Sequence, residues 1–292
     1  MVIVRVPATS ANVGVGFDCL GLALDLTATF LMTPAEKLEV VGCEERFRGK
    51  DNLVWQSYLD ACRELGLETQ PLHITILSPI PLSGGLGSSS ACVIAGIGAA
   101  MALSPEGFDR TRALELAVRL EGHPDNVAPA LLGGLVSSFV DGDITTSTRM
   151  DVADNLRFVA VAPPYEVRTA EARRVLPTEV SRDTTVWQMG RCVAMVRALE
   201  TGDAELLGAA CHDKLHEPYR AKLIPDYDSL RTAALEAGAC AFMISGSGST
   251  MIAVADGDAA AANVAAAIAG TCPGYWLRTL PANILGTTVE VH

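Results

Sequence analysis

The stretch PIPLSGGLGSSSACVIAG, residues 79–96, decides the fold prediction, and Gly84, Gly85 and Gly87 lie at its centre. Glycine permits positive φ and a close approach of the backbone to a ligand. The run SSSACVIAGIGAAMAL that follows is apolar nearly all round, which predicts a buried helix. Amides at a helix N-terminus, together with the helix dipole, favour phosphate. The turn chemistry by itself also fits a flexible turn with a serine N-cap.

The common nucleotide-binding motifs do not account for this loop. A Walker A motif needs a lysine after its last glycine, and none follows Gly87. The dinucleotide fingerprint fails because Cys19 stands where the third glycine after Gly14 and Gly16 is required. The sequence also lacks the HRD and DFG elements of protein kinases and the GxSxG elbow of hydrolases.

Length, charge and cysteine usage restrict the class of protein. The 292 residues, 49% of them hydrophobic, suffice for one large or two modest domains with a substantial core. A formal net charge of −12 argues against nucleic acid as a partner. No segment has the apolar length of a membrane span, and the N-terminus lacks the features of a secretion signal. Eight cysteines without a CxxC pair indicate reduced thiols, so we expect a cytoplasmic protein.

Hydrophobic patterns predict strands and helices in an α+β arrangement. Before the glycine loop, alternation predicts strands at VIVRVPA, LALDLTATFLM and LHITILSPI. After the loop, we expect a helix from Ser104–Pro105 to Gly122 and a hairpin at Asp141–Gly142. The remainder predicts strand, helices, strand–turn–strand, helix and strand, which is typical of a split β-α-β layout. We expect two domains, residues 1–155 and 156–292.

Three motifs in order along the chain resemble one known family. They are a first motif, PATSANVGVGFDCLGLAL (7–24), the loop Pro81–Ser90, and a third motif, SGSGSTMIAV (245–254). These are similar to the N-terminal substrate motif, the phosphate loop and the C-terminal glycine motif of the GHMP kinases. In the third motif, Ser249 stands where the family usually has a proline. The segments ANVGVGFDCLGLAL, HPDNVAPALLGG and EPYRAKLIP are most similar to the homoserine kinase branch. The resemblance implies an α+β, two-domain GHMP kinase fold, with a ribosomal S5 domain 2-like N-terminal domain and a ferredoxin-like C-terminal domain.

The resemblance also implies an activity and its cofactors. It implies an ATP- and Mg²⁺-dependent kinase that phosphorylates the side-chain hydroxyl of L-homoserine in threonine biosynthesis, and base rates favour a homodimer. It implies metal binding by Ser88 and Glu115, although Glu115 also fits a solvated residue that pairs with Arg112 or Arg119. The implied nucleotide-binding residues are Asn52, Pro81, Leu82, Ser83, Gly84, Gly85, Leu86, Gly87, Ser88, Ser89, Ser90 and Ala91.

The resemblance assigns roles toward an amino-acid substrate. It implies that Asn12 and Asp18 contact the ammonium and hydroxyl. The implied substrate set is completed by His123, Asn126, Thr169, Arg173 and Arg220. Arginine suits the carboxylate because it binds it with two parallel hydrogen bonds.

The implied catalytic residues are Ser88, Glu115 and Asn126. Asn126 stands where several members of the family have an aspartate base, and an amide cannot accept a proton. We therefore expect direct attack by the hydroxyl, driven by positioning and charge stabilisation, while Asp125 leaves a base mechanism open. Another small-alcohol kinase of this family, or a non-catalytic nucleotide-binding regulator on the same fold, remains an alternative.

Overall fold

The computed structural model describes residues 1–82, 84–142 and 144–292. Within these ranges the strands form two sheets. The first sheet comprises β1 (Val2–Ala11), β2 (Leu20–Pro34), β3 (Glu39–Val41), β4 (Leu72–Leu77), β5 (Leu135–Asp141), β6 (Ile144–Met150) and β11 (Thr288–Val291). The second comprises β7 (Leu156–Ala162), β8 (Ala241–Ile244), β9 (Met251–Asp256) and β10 (Trp276–Leu280).

The helices flank these sheets. They are α1 (Leu53–Leu65), α2 (Ser88–Ala102), α3 (Arg110–Glu121), α4 (Pro124–Leu132), α5 (Thr169–Arg174), α6 (Arg182–Thr201), α7 (Ala204–Ala210), α8 (Glu217–Arg220), α9 (Tyr227–Glu236) and α10 (Gly257–Thr271). In the described parts of the chain, no helix is both long and apolar enough to span a membrane. The predicted α+β, two-domain fold class is confirmed.

Strand pairing in the first sheet positions the first motif. The order is β11-β1-β2-β4-β3, and β5 pairs with β2 and β6. Because β1 and β2 pair antiparallel up to Ala11 and Gly21, the segment between them projects as a loop from the end of the sheet. The last strand, β11, returns from the second half of the chain to pair with β1. The expected domain boundary at 155/156 lies between β6 and β7 and stays a prediction.

The second sheet is buried on both faces, and successive side chains alternate between two cores. Along β7, Phe158 and Ala160 join a core that extends into the first sheet, whereas Val159 and Val161 pack toward α9 and α10. This alternation follows the two-residue period of a strand. Since one core runs through both sheets, the two halves of the chain are packed together directly.

Several sequence predictions of local structure are confirmed, and one is wrong. The buried helix after the glycine loop is α2, and the predicted hairpin joins β5 to β6. The helix expected from Ser104 begins only at Arg110. Ser104 instead bonds back to Met101 at the end of α2, and the Asp109 carboxylate caps α3 by accepting from the Arg112 amide at 2.8 Å. The sequence patterns did not predict α1, α8, α9, β3 or β10.

Candidate active site

The glycine loop turns sharply into α2, as its sequence predicts. Gly85 and Gly87 have φ of 83° and 70°, and Gly87 is the N-cap of α2. A Cβ on Gly87 would overlap the Thr9 hydroxyl oxygen, so this position requires glycine for space as well as for φ. The cap carries no side-chain hydrogen bond among the described residues. The first-turn amides of α2 are therefore available to an anion.

The first and third motifs hold the glycine loop from two sides. The Thr9 amide donates to the Leu86 carbonyl at 3.1 Å, and the Thr250 amide donates to the Gly84 carbonyl at 2.8 Å. The Ser245 hydroxyl donates to the Gly85 carbonyl at 2.6 Å. Three segments that are far apart in sequence thus build one loop cluster.

A cavity of about 390 Å³ lies beside this cluster. The predicted site residues that line it are Asn12, Asp18, Gly85, Gly87, Ser88, Ser89, His123, Asn126, Thr169, Arg173 and Arg220. Asp125, for which the sequence left a base mechanism open, also lines it. The lining residues for which no role was predicted are Ala11, Glu121, Glu166, Val167, Gly246 and Ser247. Gly246 and Ser247 belong to the third motif, so that motif was the signal that could have found them.

An ion pair bridges the two halves of the chain across the cavity. Arg173 donates from both guanidinium nitrogens to the two carboxylate oxygens of Asp18, each at 3.0 Å. This pairing raises the pKa of Arg173. The side chains of Arg173 and Asp18 are 41% and 35% exposed, respectively, so solvent and ligands can compete with this ion pair.

Asn12 and Arg220 are buried at the floor of the cavity. Asn12, at φ 68°, accepts from the Asp18 amide at 3.0 Å and donates to the Gly246 carbonyl at 2.9 Å. Arg220 donates to the same carbonyl at 2.8 Å. Desolvation lowers the pKa of Arg220, but a guanidinium keeps its charge in proteins. The Gly246 carbonyl therefore links Asn12 of the first motif to the buried guanidinium of Arg220.

A third group of side chains lies at the start of α4. His123 and Asp125 are hydrogen-bonded at 2.7 Å between Nδ1 and Oδ1, and this bond raises the pKa of His123. Asp125 is 3% exposed. The Thr9 hydroxyl donates to Asn126 Oδ1 at 2.8 Å, which leaves the Asn126 amide nitrogen as the free end of that side chain.

The structure does not bring the predicted metal ligand Glu115 into the cavity. Glu115 is exposed on α3, opposite the buried face formed by Ala113, Leu116 and Ala117. Glu121 lines the cavity instead and accepts from the Ser90 hydroxyl at 3.2 Å. The two glutamates lie about 9 Å apart along the axis of α3 and about 120° apart around it, so they point to different sides of the helix.

Other predicted nucleotide residues lie outside the cavity lining. Asn52 is 4% exposed, and its side chain caps α1 by accepting from the Val54 and Trp55 amides. Ser83 lies outside the described residues. The loop and helix residues without a place in the lining are Pro81, Leu82, Gly84, Leu86, Ser90 and Ala91. Ser249, at the usual proline of the third motif, donates to the Tyr165 carbonyl at 2.6 Å.

Comparisons with known proteins agree with this arrangement. The models of the GHMP kinases N terminal domain and the GHMP kinases C terminal domain match residues 52–134 and 195–274. The homoserine kinase of Clostridium beijerinckii is 41% identical over 88% of this chain and 87% of its own length. That of Clostridium botulinum strain 657 is 38% identical over 99% of both chains.

Solved structures share the fold across nearly the whole chain. The crystal structure of homoserine kinase from Cytophaga hutchinsonii superposes with a TM-score of 0.89 at 32% identity, covering 99% of this chain and 97% of that one. Mevalonate kinase of L. major superposes with a TM-score of 0.73 at 16% identity over 95% of each chain, which is a likeness of fold alone. The chain belongs to the homoserine kinase family of the GHMP kinases.

Proposed function

We propose that this protein transfers the γ-phosphoryl group of ATP to the side-chain hydroxyl of L-homoserine, forming O-phospho-L-homoserine in threonine biosynthesis. One observation carries the proposal. A single cavity has helix-terminal amides at one side and a set of opposite charges suited to an amino acid at the other. Membership of the homoserine kinase family supports the same substrate.

The charges in the cavity match the two ends of a zwitterion. We assign the substrate carboxylate to Arg173 and Arg220, with Thr169 beside them, because guanidinium groups bind carboxylates in a fixed geometry. We assign the ammonium to Asp18. Asn12 holds the Asp18 loop through its two hydrogen bonds, so its role is to fix that loop as much as to touch the ligand.

The residues beside the glycine loop fit Mg²⁺. This ion usually takes one or two carboxylate oxygens and completes its shell with phosphate and water. Among the described residues, no three or more His, Cys, Asp or Glu side chains are grouped so that they could hold a metal ion. We assign Ser88 and Glu121, in place of Ser88 and Glu115, as its protein ligands. When bound, the ion would neutralise charge on the phosphates.

The remaining polar groups orient the hydroxyl rather than deprotonate it. Asn126 receives a hydrogen bond from Thr9 at its oxygen, so its nitrogen is the end that can donate to the substrate oxygen. Asp125 Oδ1 is hydrogen-bonded to His123 Nδ1, and this bond raises the pKa of His123. We assign an orienting role to this pair and to Asn126. We propose direct attack by the hydroxyl, with the proton leaving to phosphate or solvent.

A coupled assay of ADP formation tests the proposal. Purified protein with ATP and Mg²⁺ is offered L-homoserine, mevalonate and shikimate in parallel. The expected result is turnover with L-homoserine well above that with the two other alcohols. A preference for another alcohol, or ATP binding without turnover, would overturn it. A homodimer and a cytoplasmic location complete the proposal, and analytical ultracentrifugation and cell fractionation test them.

A further inference from the structure

We propose that His216 is a positioning residue that fixes the guanidinium of Arg220 toward the substrate carboxylate. His216 lies just before α8 and its side chain is fully buried. It is not among the residues that line the cavity, but it contacts Arg220 and the loop after β1. The inference rests on the proposed function, since it concerns how the amino-acid substrate is held.

The hydrogen bonds of His216 define its tautomer. Its Nε2 lies 2.7 Å from the Gly14 carbonyl oxygen, which can only accept, so Nε2 carries the proton. Its Nδ1 lies 3.4 Å from Arg220 Nη1, and a guanidinium can only donate, so Nδ1 is an unprotonated acceptor. The ring is therefore neutral, and burial, which lowers the pKa of His216, acts in the same direction.

The other contacts of Arg220 leave one side of its guanidinium for a ligand. Nε donates to the Ala172 carbonyl at 3.3 Å, and Nη1 donates to the Gly246 carbonyl at 2.8 Å as well as to His216. These bonds use Nε and both hydrogens of Nη1. Within the described residues, Nη2 has no protein acceptor, while Arg220 lines the cavity. Nη2 is thus the end that can bind a carboxylate.

His216 also ties Arg220 to the loop that carries the ammonium-binding side. Gly14 belongs to the segment between β1 and β2, and Phe17 of the same segment stacks on the His216 ring with centroids 5.4 Å apart. The Arg220 guanidinium lies 5.2 Å from the Phe17 ring centre. His216 therefore sets the spacing between the loop of Asp18 and the cation that faces it.

Two substitutions at His216 each keep one hydrogen bond of the imidazole ring and remove the other. In His216→Gln, the side-chain amide can reach the Gly14 carbonyl as Nε2 does, but no acceptor remains near Arg220. In His216→Asn, the shorter side chain places its oxygen near the position of Nδ1 and can still accept from Arg220. The expected order of homoserine binding is wild type, then Asn, then Gln.

The experiment compares the change in the KM for L-homoserine with the change in the KM for ATP. For His216→Gln, the KM for L-homoserine should rise about tenfold or more, the loss typical of one hydrogen bond to a charged group. The kcat and the KM for ATP should stay within about twofold, since no contact to the glycine loop changes. 3-Aminopropan-1-ol is homoserine without its carboxylate. Its KM, or its Ki as a competitor of homoserine, should not change.

A double-mutant cycle distinguishes a loss of Arg220 positioning from a general loss of structure. In an Arg220→Gln background, His216→Gln should cause no further rise in the homoserine KM, because the cation that it positions is gone. Equal losses for homoserine and 3-aminopropan-1-ol, additive effects in the cycle, or an unchanged homoserine KM in His216→Gln would each overturn the proposal. Wild-type protein without homoserine kinase activity would instead refute the proposed function, so the two failures are distinguishable.

Discussion

Asp18→Asn should weaken binding of L-homoserine and strengthen binding of its analogue 4-hydroxybutyrate. Asp18 and Arg173 neutralise each other across the cavity, so a ligand must break this pair to reach either charge. A zwitterion supplies a new partner to both residues. 4-Hydroxybutyrate, which is homoserine without its ammonium, supplies a partner to Arg173 alone and leaves Asp18 unpaired.

The magnitudes follow from the exposure of the pair. A pair at this exposure is worth about 0–1 kcal/mol, so releasing Arg173 should improve the Ki of 4-hydroxybutyrate by up to about fivefold. Losing the contact of a carboxylate with the ammonium costs about 1.5–3 kcal/mol. After the offset from the released arginine, the KM for L-homoserine should rise about tenfold. Asparagine tolerates the φ of 56° at this position.

The assay measures the homoserine KM and the inhibition constant of 4-hydroxybutyrate in the same coupled reaction. Asp60→Asn is the matched control, because Asp60 forms an exposed pair with Arg63 on α1, outside the cavity. The control should leave both constants unchanged. If Asp18→Asn weakens both ligands, or strengthens both, the competition between pair and ligand is refuted.

Three further predictions follow from the site and its supports. Glu121→Gln should lower kcat about 100-fold and raise the Mg²⁺ concentration that gives half-maximal activity. Glu115→Gln should leave both quantities within about twofold, and equal behaviour of the two variants would contradict the assignment of Glu121 as the metal ligand. Gly107→Ala places a side chain at positive φ in open space and should lose about 1 kcal/mol of stability. Gly87→Ala also overlaps the Thr9 hydroxyl, so it should lose more stability, and only Gly87→Ala should lose ATP binding by calorimetry. Burial raises the pKa of Glu217 to about 8, so the folded state binds the proton more tightly than the unfolded state does. The free energy of unfolding of the wild type should therefore fall as pH rises from about 4.5 to 8. The urea midpoint of Glu217→Gln should fall less over this range, and an equal fall in both proteins would refute the prediction.

Local signals predicted the glycine loop and its helix correctly, because glycine φ preferences and an all-round apolar face act within a few residues. The start of α3 could not be predicted in the same way. Ser104 is a good N-cap by type, yet it bonds back to the helix before it, while Asp109 caps the next one. Two residues with similar capping propensity compete, and the packing of α2 decides between them.

The metal side of the site shows a second limit. The family resemblance implied Glu115, but which face of α3 points into the cavity depends on how that helix packs on its neighbours. The buried face takes Ala113, Leu116 and Ala117, which turns Glu115 to solvent. Glu121, at the last residue of the helix, reaches the glycine loop. The sequence offers two glutamates of equal chemistry, and only packing separates them.

The sequence alone determined the α+β class, the glycine turn that leads into α2 and the family, because each depends on residues that are close together in the chain. Tertiary structure decided which distant groups meet. Asp18 pairs with Arg173, and His216 bonds both Gly14 and Arg220. The Asp18–Arg173 and Gly14–His216 contacts join the two halves of the chain, and their geometry depends on the shared core that holds the two sheets together. Local sequence cannot specify a distance that is fixed by the packing of two sheets.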